Sequence, residues 1–486
     1  MFRSVPSSNR AARLEHRAKR WLFLTHRWVG IVTCLFMALW FLSGIVMMYV
    51  PFPELGFEER LRGLPRIEWR KVALVPRLVP PGASLVLEQR AFDPVWRFRD
   101  QSGRAIALSA SIAQGLPPVD AGNGRLVAEA FARSSAAGVE RIERDQWTVS
   151  GGYDSYRPLW KVAFGGNAGR VLYVSSTDGQ VVLDTSARER FWNWLGAVPH
   201  WIYPTLLRQH QPLWRQVILW TAGACIVASI SGIWIGILRI RLRRRYKGNR
   251  PTPYRGWQYW HHLIGLAGGT LLATWIVSGW LSVDPGRWFE SPGLDQAAHL
   301  AYARPATLPS IDWRAVSRLP EARDVRRMRF AWVDARPLMV FERPALPPTV
   351  RDARSLAPVG WERIQLVRAA SRLSPGHPIK RVSLLRQADA YWYQAKGNVE
   401  LPVWRVIFDD PANTWVHISP RTGEIVGETD TRRRLYRWLY DGLHRWDFGF
   451  LLNRRPLWDV WMLFWLSLGV AVCVSGIVIA YRRLAR

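Results

Sequence analysis

The chain has 486 residues, 49% of them hydrophobic, with 29 Trp and 18 Phe, a composition heavy for a soluble enzyme and natural for a membrane protein that also carries soluble parts. Its net charge of +30 comes from basic residues spread along the whole length rather than gathered in one arm or patch, which argues against a nucleic-acid partner. Cys34, Cys225 and Cys473 all lie in apolar stretches with no CxxC pair, so the sequence carries no disulfide framework and no thiol-based metal or redox motif.

In chain order, residues 1–24 are polar and basic, and no charge then appears from Trp28 to Pro53. This run is longer than the apolar part of a secretion signal, and no small-x-small cleavage site follows Met47-Met48-Tyr49, so it reads as a membrane anchor rather than a leader. Further charge-free runs cover 216–238, 263–283 and 460–480, each long enough to cross a hydrocarbon core of about 30 Å. The expected spanning helices are therefore 25–50, 213–240, 257–283 and 457–481. The connector 241–256 and the flanking Arg239 bring Arg241, Arg243, Arg244, Arg245, Lys247, Arg250 and Arg255 together without one acid, and the tail 482–486 is basic as well. By the positive-inside rule these segments and both termini face the cytoplasm of a bacterial inner membrane. The long regions 51–190 and 284–434 then lie in the periplasm, joined to the helices by interfacial segments 191–212 and 435–456.

The sequence repeats itself. His26, Gly30, Trp40, Ser43 and Gly44 return 235 positions later as His261, Gly265, Trp275, Ser278 and Gly279. With an offset of 244, Pro158, Trp160, Gly179, Trp194, His200, Trp214, Ser231 and Gly232 return as Pro402, Trp404, Gly423, Trp438, His444, Trp458, Ser475 and Gly476. The repeating unit is helix, outer region, helix. Each outer region reads as a helix (126–134; 362–373) followed by strands, among them hairpins over 171–182 and 414–426 closed by Asp178-Gly179 and Thr422-Gly423. The opening stretches, 51–124 and 291–359, are rich in Pro and too weakly patterned for their elements to be placed.

Two helix pairs flanking modules that end in such a hairpin, with His-x-x-x-Gly entering the odd helices and Ser-Gly-Ile in the even ones, resemble the PepSY-associated transmembrane family. The resemblance covers about residues 20–484 and implies an α+β integral membrane protein: four transmembrane helices arising by duplication, with two periplasmic PepSY-like domains. The family includes iron-regulated inner-membrane proteins, among them FoxB-like ferric siderophore reductases that carry haem in a four-helix bundle. Some members add a flavin and nicotinamide domain. No GxGxxG fingerprint follows a strand here, so electrons are expected from a separate cytoplasmic reductase or a quinol.

Symmetry selects the histidines. His26 and His261 enter their helices at the cytoplasmic end, while His200 and His444 precede the second and fourth helices at the outer face. Haem iron has two axial positions, which imidazoles from facing helices fill, so the expectation is two b-type haems, one per pair, held without covalent attachment because no CxxCH occurs. Gly30 and Gly265, one turn from their histidines, either make room for a macrocycle or allow close helix packing. His262 and His210 rank second, since their counterparts are Arg27 and Arg454; His16, His299, His377 and His417 read as surface residues. The many Trp residues near the outer pair read chiefly as an interfacial belt.

The function implied is reduction of a ferric siderophore or another ferric chelate at the periplasmic face. Two other readings leave the paired histidines unexplained: a non-enzymatic anchor that binds peptides or regulates a protease, and a transporter subunit for iron or haem. No HExxH, P-loop or nucleophile motif supports a hydrolase or nucleotidase.

Overall fold

Four long helices account for the four charge-free runs in the computed structural model, which describes residues 7–76, 84–100, 102–112, 114–166, 168–395 and 399–486. They are Ser7–Tyr49, Gln211–Arg239, Trp257–Ser282 and Arg455–Leu484, and each is long and apolar enough to cross a membrane. At 43 residues the first is roughly 65 Å long, more than a bilayer core requires, so its basic amino-terminal turns project beyond the apolar part. Arg3 of the basic amino-terminal segment lies outside the described residues. Pro212 and Pro456 stand in the first turns of the second and fourth helices, where a missing N–H costs nothing.

The helices pack in ring order, the first against the second and fourth, the third against the same two. First and third therefore face each other across the bundle. Glycines set the close approaches: a methyl group at Gly268 would meet Leu468 at 2.5 Å, and one at Gly469 would meet Phe41 at 2.9 Å. Phe41, Leu272, Trp275, Met462 and Leu466 fill the interior between them. Residues 284–290, expected to open the second outer region, belong with the helices instead. Arg215 explains why: its guanidinium donates to the carbonyls of Val283 and Pro285, each at 3.2 Å, and so ties that segment to the second helix.

The outer regions, residues 53–191 and 291–434, form one compact unit rather than two separate domains. Its strands in chain order are β1 (Val86–Arg90), β2 (Asp93–Arg99), β3 (Ala105–Ser109), β4 (Ala136–Ile142), β5 (Leu159–Phe164), β6 (Val171–Ser175) and β7 (Val181–Thr185) in the first region. The second contributes β8 (Arg327–Val333), β9 (Arg336–Arg343), β10 (Leu346–Asp352), β11 (Ile379–Leu385), β12 (Val403–Phe408), β13 (Trp415–Ile418) and β14 (Ile425–Thr429). Two four-stranded antiparallel sheets, β4-β5-β6-β7 and β11-β12-β13-β14, repeat each other, and each packs one face on a helix, Ala121–Ala132 or Arg363–Ala370. The expected hairpins are β6–β7 and β13–β14, with Gly179 and Gly423 at φ of 69° and 73°, where a side chain would be strained. The peptide bonds before Pro158 and Pro402, equivalent positions, are both cis.

The weakly patterned opening stretches join in a single six-stranded sheet, β10-β9-β8-β1-β2-β3. Its central pair is β1 against β8, with Leu87 opposite Met328 and Glu88 opposite Arg327. One face buries Leu87, Trp96, Phe330, Met328 and Phe341 with Trp69 and Trp313. The other face carries a chain of ion pairs. Glu88, 2% exposed, takes Arg60 at 2.8 Å, Arg97 at 2.7 Å and Arg327 at 3.5 Å, and Glu342 takes Arg327 and Arg329. Burial alone would raise the Glu88 carboxyl, but the guanidinium groups of Arg60, Arg97 and Arg327 outweigh it and hold the pKa at about 2.

Candidate metal centres in the helix bundle

Each of the four symmetric histidines rests on a Ser-Gly step of a neighbouring helix. His26 Nδ1 lies 3.0 Å from the Ala228 carbonyl and 3.4 Å from Ser231 Oγ, and His261 Nδ1 lies 3.2 Å from the Val472 carbonyl and 3.0 Å from Ser475 Oγ. His200 Nδ1 sits 3.2 Å from the Trp40 carbonyl and 3.1 Å from Ser43 Oγ; His444 Nδ1 sits 3.1 Å from the Trp275 carbonyl and 3.2 Å from Ser278 Oγ. A carbonyl oxygen only accepts, so in all four rings Nδ1 carries the proton and donates it, and Nε2 keeps its lone pair. None of the four Nε2 atoms has a hydrogen-bond partner among the described residues.

The imidazole lies against the Cα of the glycine beside each serine, closely enough at two of the four, Gly232 and Gly279, that a side chain there would crowd the ring. A methyl group would meet the ring's Cε1 at 2.6 Å on Gly232, 3.2 Å on Gly279, 3.4 Å on Gly476 and 3.6 Å on Gly44. The four Ser-Gly steps inside the apolar runs, at 43, 231, 278 and 475, were visible in the sequence but carried no assigned role there; their number in those runs, equal to that of the symmetric histidines, was the signal.

The structure brings these rings together in two facing pairs. The centroids of His26 and His261 are 6.3 Å apart, and those of His200 and His444 are 6.1 Å apart. His26 and His261 belong to the first and third helices, which oppose each other across the bundle. From His26 to Ser43, on which His200 rests, the first helix advances roughly 25 Å, so the two pairs occupy opposite ends of the bundle. His200 and His444 are half-buried, and desolvation pushes their pKa values down to about 4 and about 3, favouring the neutral rings, the form in which imidazole binds a metal.

An iron between two imidazoles, with metal–nitrogen bonds of about 2 Å, places the ring centroids about 6 Å apart, which both pairs match. Two imidazoles leave four equatorial positions open, and no cluster of three or more His, Cys, Asp or Glu side chains among the described residues could supply them. A planar macrocycle brings those four ligands with it. There is open space next to the helix backbone beside the first pair: a methyl group at Gly30 would meet nothing within 4 Å, and one at Gly265 only Val472, at 3.9 Å. These two glycines, one turn from His26 and His261 on the same helix faces, thus differ from the tight contacts of Gly268 and Gly469. The donor set fits haem.

The model of the PepSY-associated TM region matches residues 23–315, which include the apolar part of the first long helix, the second and third, the first outer region and three of the four paired histidines. The chain belongs to the PepSY-associated TM family. Comparison with curated proteins finds no match. As a PepSY-associated membrane protein it combines four candidate spanning helices with antiparallel sheets, the α+β membrane architecture the sequence implies.

The remaining histidines of this PepSY-associated protein have other surroundings. His262 accepts at Nδ1 from Thr252 Oγ1 at 2.8 Å and donates from Nε2 to the Gly236 carbonyl at 3.0 Å, so neither nitrogen is left for a metal. It pins the basic connector to the third helix. His210 is exposed at the start of the second helix. His417 corrects the surface reading: it is 1% exposed on β13, accepts from Arg405 Nε at 2.8 Å and stacks on Trp392 at 4.3 Å. Its sheet position faces a covering segment that the strand pattern alone does not reveal.

Proposed function

We propose that the chain is an electron-transfer protein of a bacterial inner membrane, binding one b-type haem between His26 and His261 and a second between His200 and His444, and reducing a ferric siderophore or another ferric chelate at the periplasmic face. The observation that carries this reading is the repeated seat: four half-buried imidazoles, each with Nδ1 committed to a helix carbonyl, paired at a spacing suited to one iron. Haem, when bound, supplies a reversible one-electron centre. The protein's part is orientation. The carbonyl and serine fix which nitrogen is left for a metal and hold the ring plane. Iron(III) prefers hard oxygen donors that iron(II) binds less well, so reduction loosens the chelate.

Sidedness is inferred from two features. The acid-free connector between the second and third helices favours the cytoplasm. The pairing of β1 with β8 requires both outer regions to emerge on one side, with two spans between them. The electron donor in this reading is a cytoplasmic reductase or a quinol.

The experiment is an absorption spectrum and a haem count on protein from haem-replete cells. Two haems per chain are expected, with one lost in His26→Ala, one in His200→Ala, and only one in the double variant His26→Ala/His261→Ala. Colourless, folded protein would favour a non-enzymatic PepSY anchor. Loss of both haems from the double variant would overturn the pairing.

A further inference from the structure

The two imidazole pairs share their Ser-Gly seats but differ in the angle between rings. The planes of His26 and His261 meet at 40°, those of His200 and His444 at 70°. One side of the second pair carries a contact that the first pair lacks. Tyr440, four residues before His444, lies over its imidazole at 5.2 Å with the planes 20° apart. The backbone there, Arg437–Gly442, is a π-helical turn, a rare element. Tyr436 backs Tyr440 at 5.4 Å, and Phe289 backs Tyr436 at 5.4 Å. Trp275 Nε1 donates to the His444 carbonyl at 2.8 Å, so the backbone is held as well as the ring.

The duplication supplies the control. The position equivalent to Tyr440 is Gly196, four residues before His200, where a side chain would crowd Val46 Cγ1 at 3.0 Å. Among the described residues no aromatic ring other than His444 lies against His200, and none other than its partner lies against His26 or His261. One imidazole of four is therefore clamped on its face.

Ring orientation matters to a metal between two imidazoles. Parallel rings donate π-electron density into the same iron d orbital; crossed rings donate into different ones, keep two d orbitals close in energy, give the ferric centre a more anisotropic magnetic signature and favour its reduced form. We propose that Tyr440 is a positioning residue that fixes the plane of His444 and makes the His200/His444 site the more positive in potential of the two. This inference rests on the haem reading above. Its consequence is direction: an electron arriving at the His26/His261 site finds the lower-energy position at the other end of the bundle, so flow toward the outer face is built into the protein rather than imposed by the acceptor. Ligand surroundings of this kind are an established lever on haem potential.

The test uses the full chain in detergent or nanodiscs with haem bound. Wild type should show two low-spin ferric signals of different anisotropy and two midpoint potentials, the more anisotropic signal vanishing in His444→Ala. Tyr440→Phe, which keeps the flat ring, should leave both signals in place. Tyr440→Leu, which keeps bulk without a plane, and Tyr440→Gly, which copies the first half, should move the more anisotropic signal and the higher potential toward the other site while haem content stays unchanged. Two haems with signals and potentials unaffected by Tyr440→Leu and Tyr440→Gly would overturn the role of Tyr440 and leave the paired-histidine reading standing. A wild-type protein with no haem would overturn both.

Discussion

In the first outer region Tyr173 donates its hydroxyl to Asp145 at 2.7 Å, with Lys161 at 3.8 Å from the same carboxylate. At the equivalent places 244 positions later stand His417, Asp389 and Arg405, and now the arginine is central: it grips Asp389 at 2.6 and 2.9 Å and donates to His417. There acid and cation keep their places, and in the six-stranded sheet they do not. Glu88 on β1 pairs with Arg97 on β2, while across the pseudo-twofold axis Arg329 on β8 pairs with Glu342 on β9, so acid and base have traded strands. In that sheet the backbone of the duplication is kept; the placement of the charges is not. What a buried ion network must preserve is neutrality and hydrogen-bond saturation, and either polarity satisfies both.

The strongest way to break this equivalence is Glu88→Gln. It leaves Arg60, Arg97 and Arg327 around a neutral amide and should cost about 3–5 kcal/mol of stability in the outer unit. Glu342→Gln should cost less, about 1–3 kcal/mol, because Arg329 keeps Glu424 and Arg327 keeps Glu88. Hydrogen exchange of the β1 and β8 amides reads both; equal losses would show that the two halves are energetically alike after all.

A pH effect should separate the two clusters. Burial, aided by the Arg405 guanidinium, lowers the His417 pKa to about 4, below the ordinary value near 6.5. Between those values the unfolded chain takes up a proton that the folded one refuses. The stability contribution is thus complete above pH 6.5 and declines as pH falls toward 4, by about 3 kcal/mol in all. Tyr173 has no such transition, since burial and Asp145 push its hydroxyl far above the usual range. Exchange protection in β12 and β13 should fall between pH 7.5 and pH 5. The double variant Arg405→Lys/His417→Tyr, which copies the first region, should flatten that dependence, and a slope that survives it would assign the effect to other groups.

In the bundle the contrast lies between seats. Gly232→Ala puts a methyl 2.6 Å from His26 Cε1 and should weaken the first site by about 1–3 kcal/mol, seen as partial loss of one haem; Gly44→Ala makes an ordinary 3.6 Å contact and should change little. Thr252→Val, which removes the partner of His262 Nδ1, should cost about 1 kcal/mol and loosen the connector without touching haem content. A spectral change in that variant would reopen His262 as a ligand.

The helices, the hairpins and the paired histidines were legible because each announces itself locally, by a charge-free run, by an Asp-Gly or Thr-Gly turn, or by recurrence at a fixed offset. The six-stranded sheet was not. Its buried face toward the ion pairs carries Glu88, Arg97, Arg327, Arg329 and Glu342, and single residues of these types read as solvent-facing until their partners are known. His417 was misread for the same reason, its cover being the segment around Asp389 and Trp392, remote in sequence. The Ser-Gly steps fell between these cases: their recurrence was visible, yet only the fold shows that each receives a ring from another helix.

The pairing of β1 with β8 bears on how the protein is made. Strand partners roughly 240 positions apart cannot meet until the second outer region has been synthesised, so the edge of β1 stays open while the two intervening helices are still being made. An unpaired edge with Leu87 on one face and a carboxylate ringed by cations on the other is a poor template for another chain, because any wrong partner would have to bury Glu88 without its arginines. The charge that seals the finished sheet also guards it during assembly.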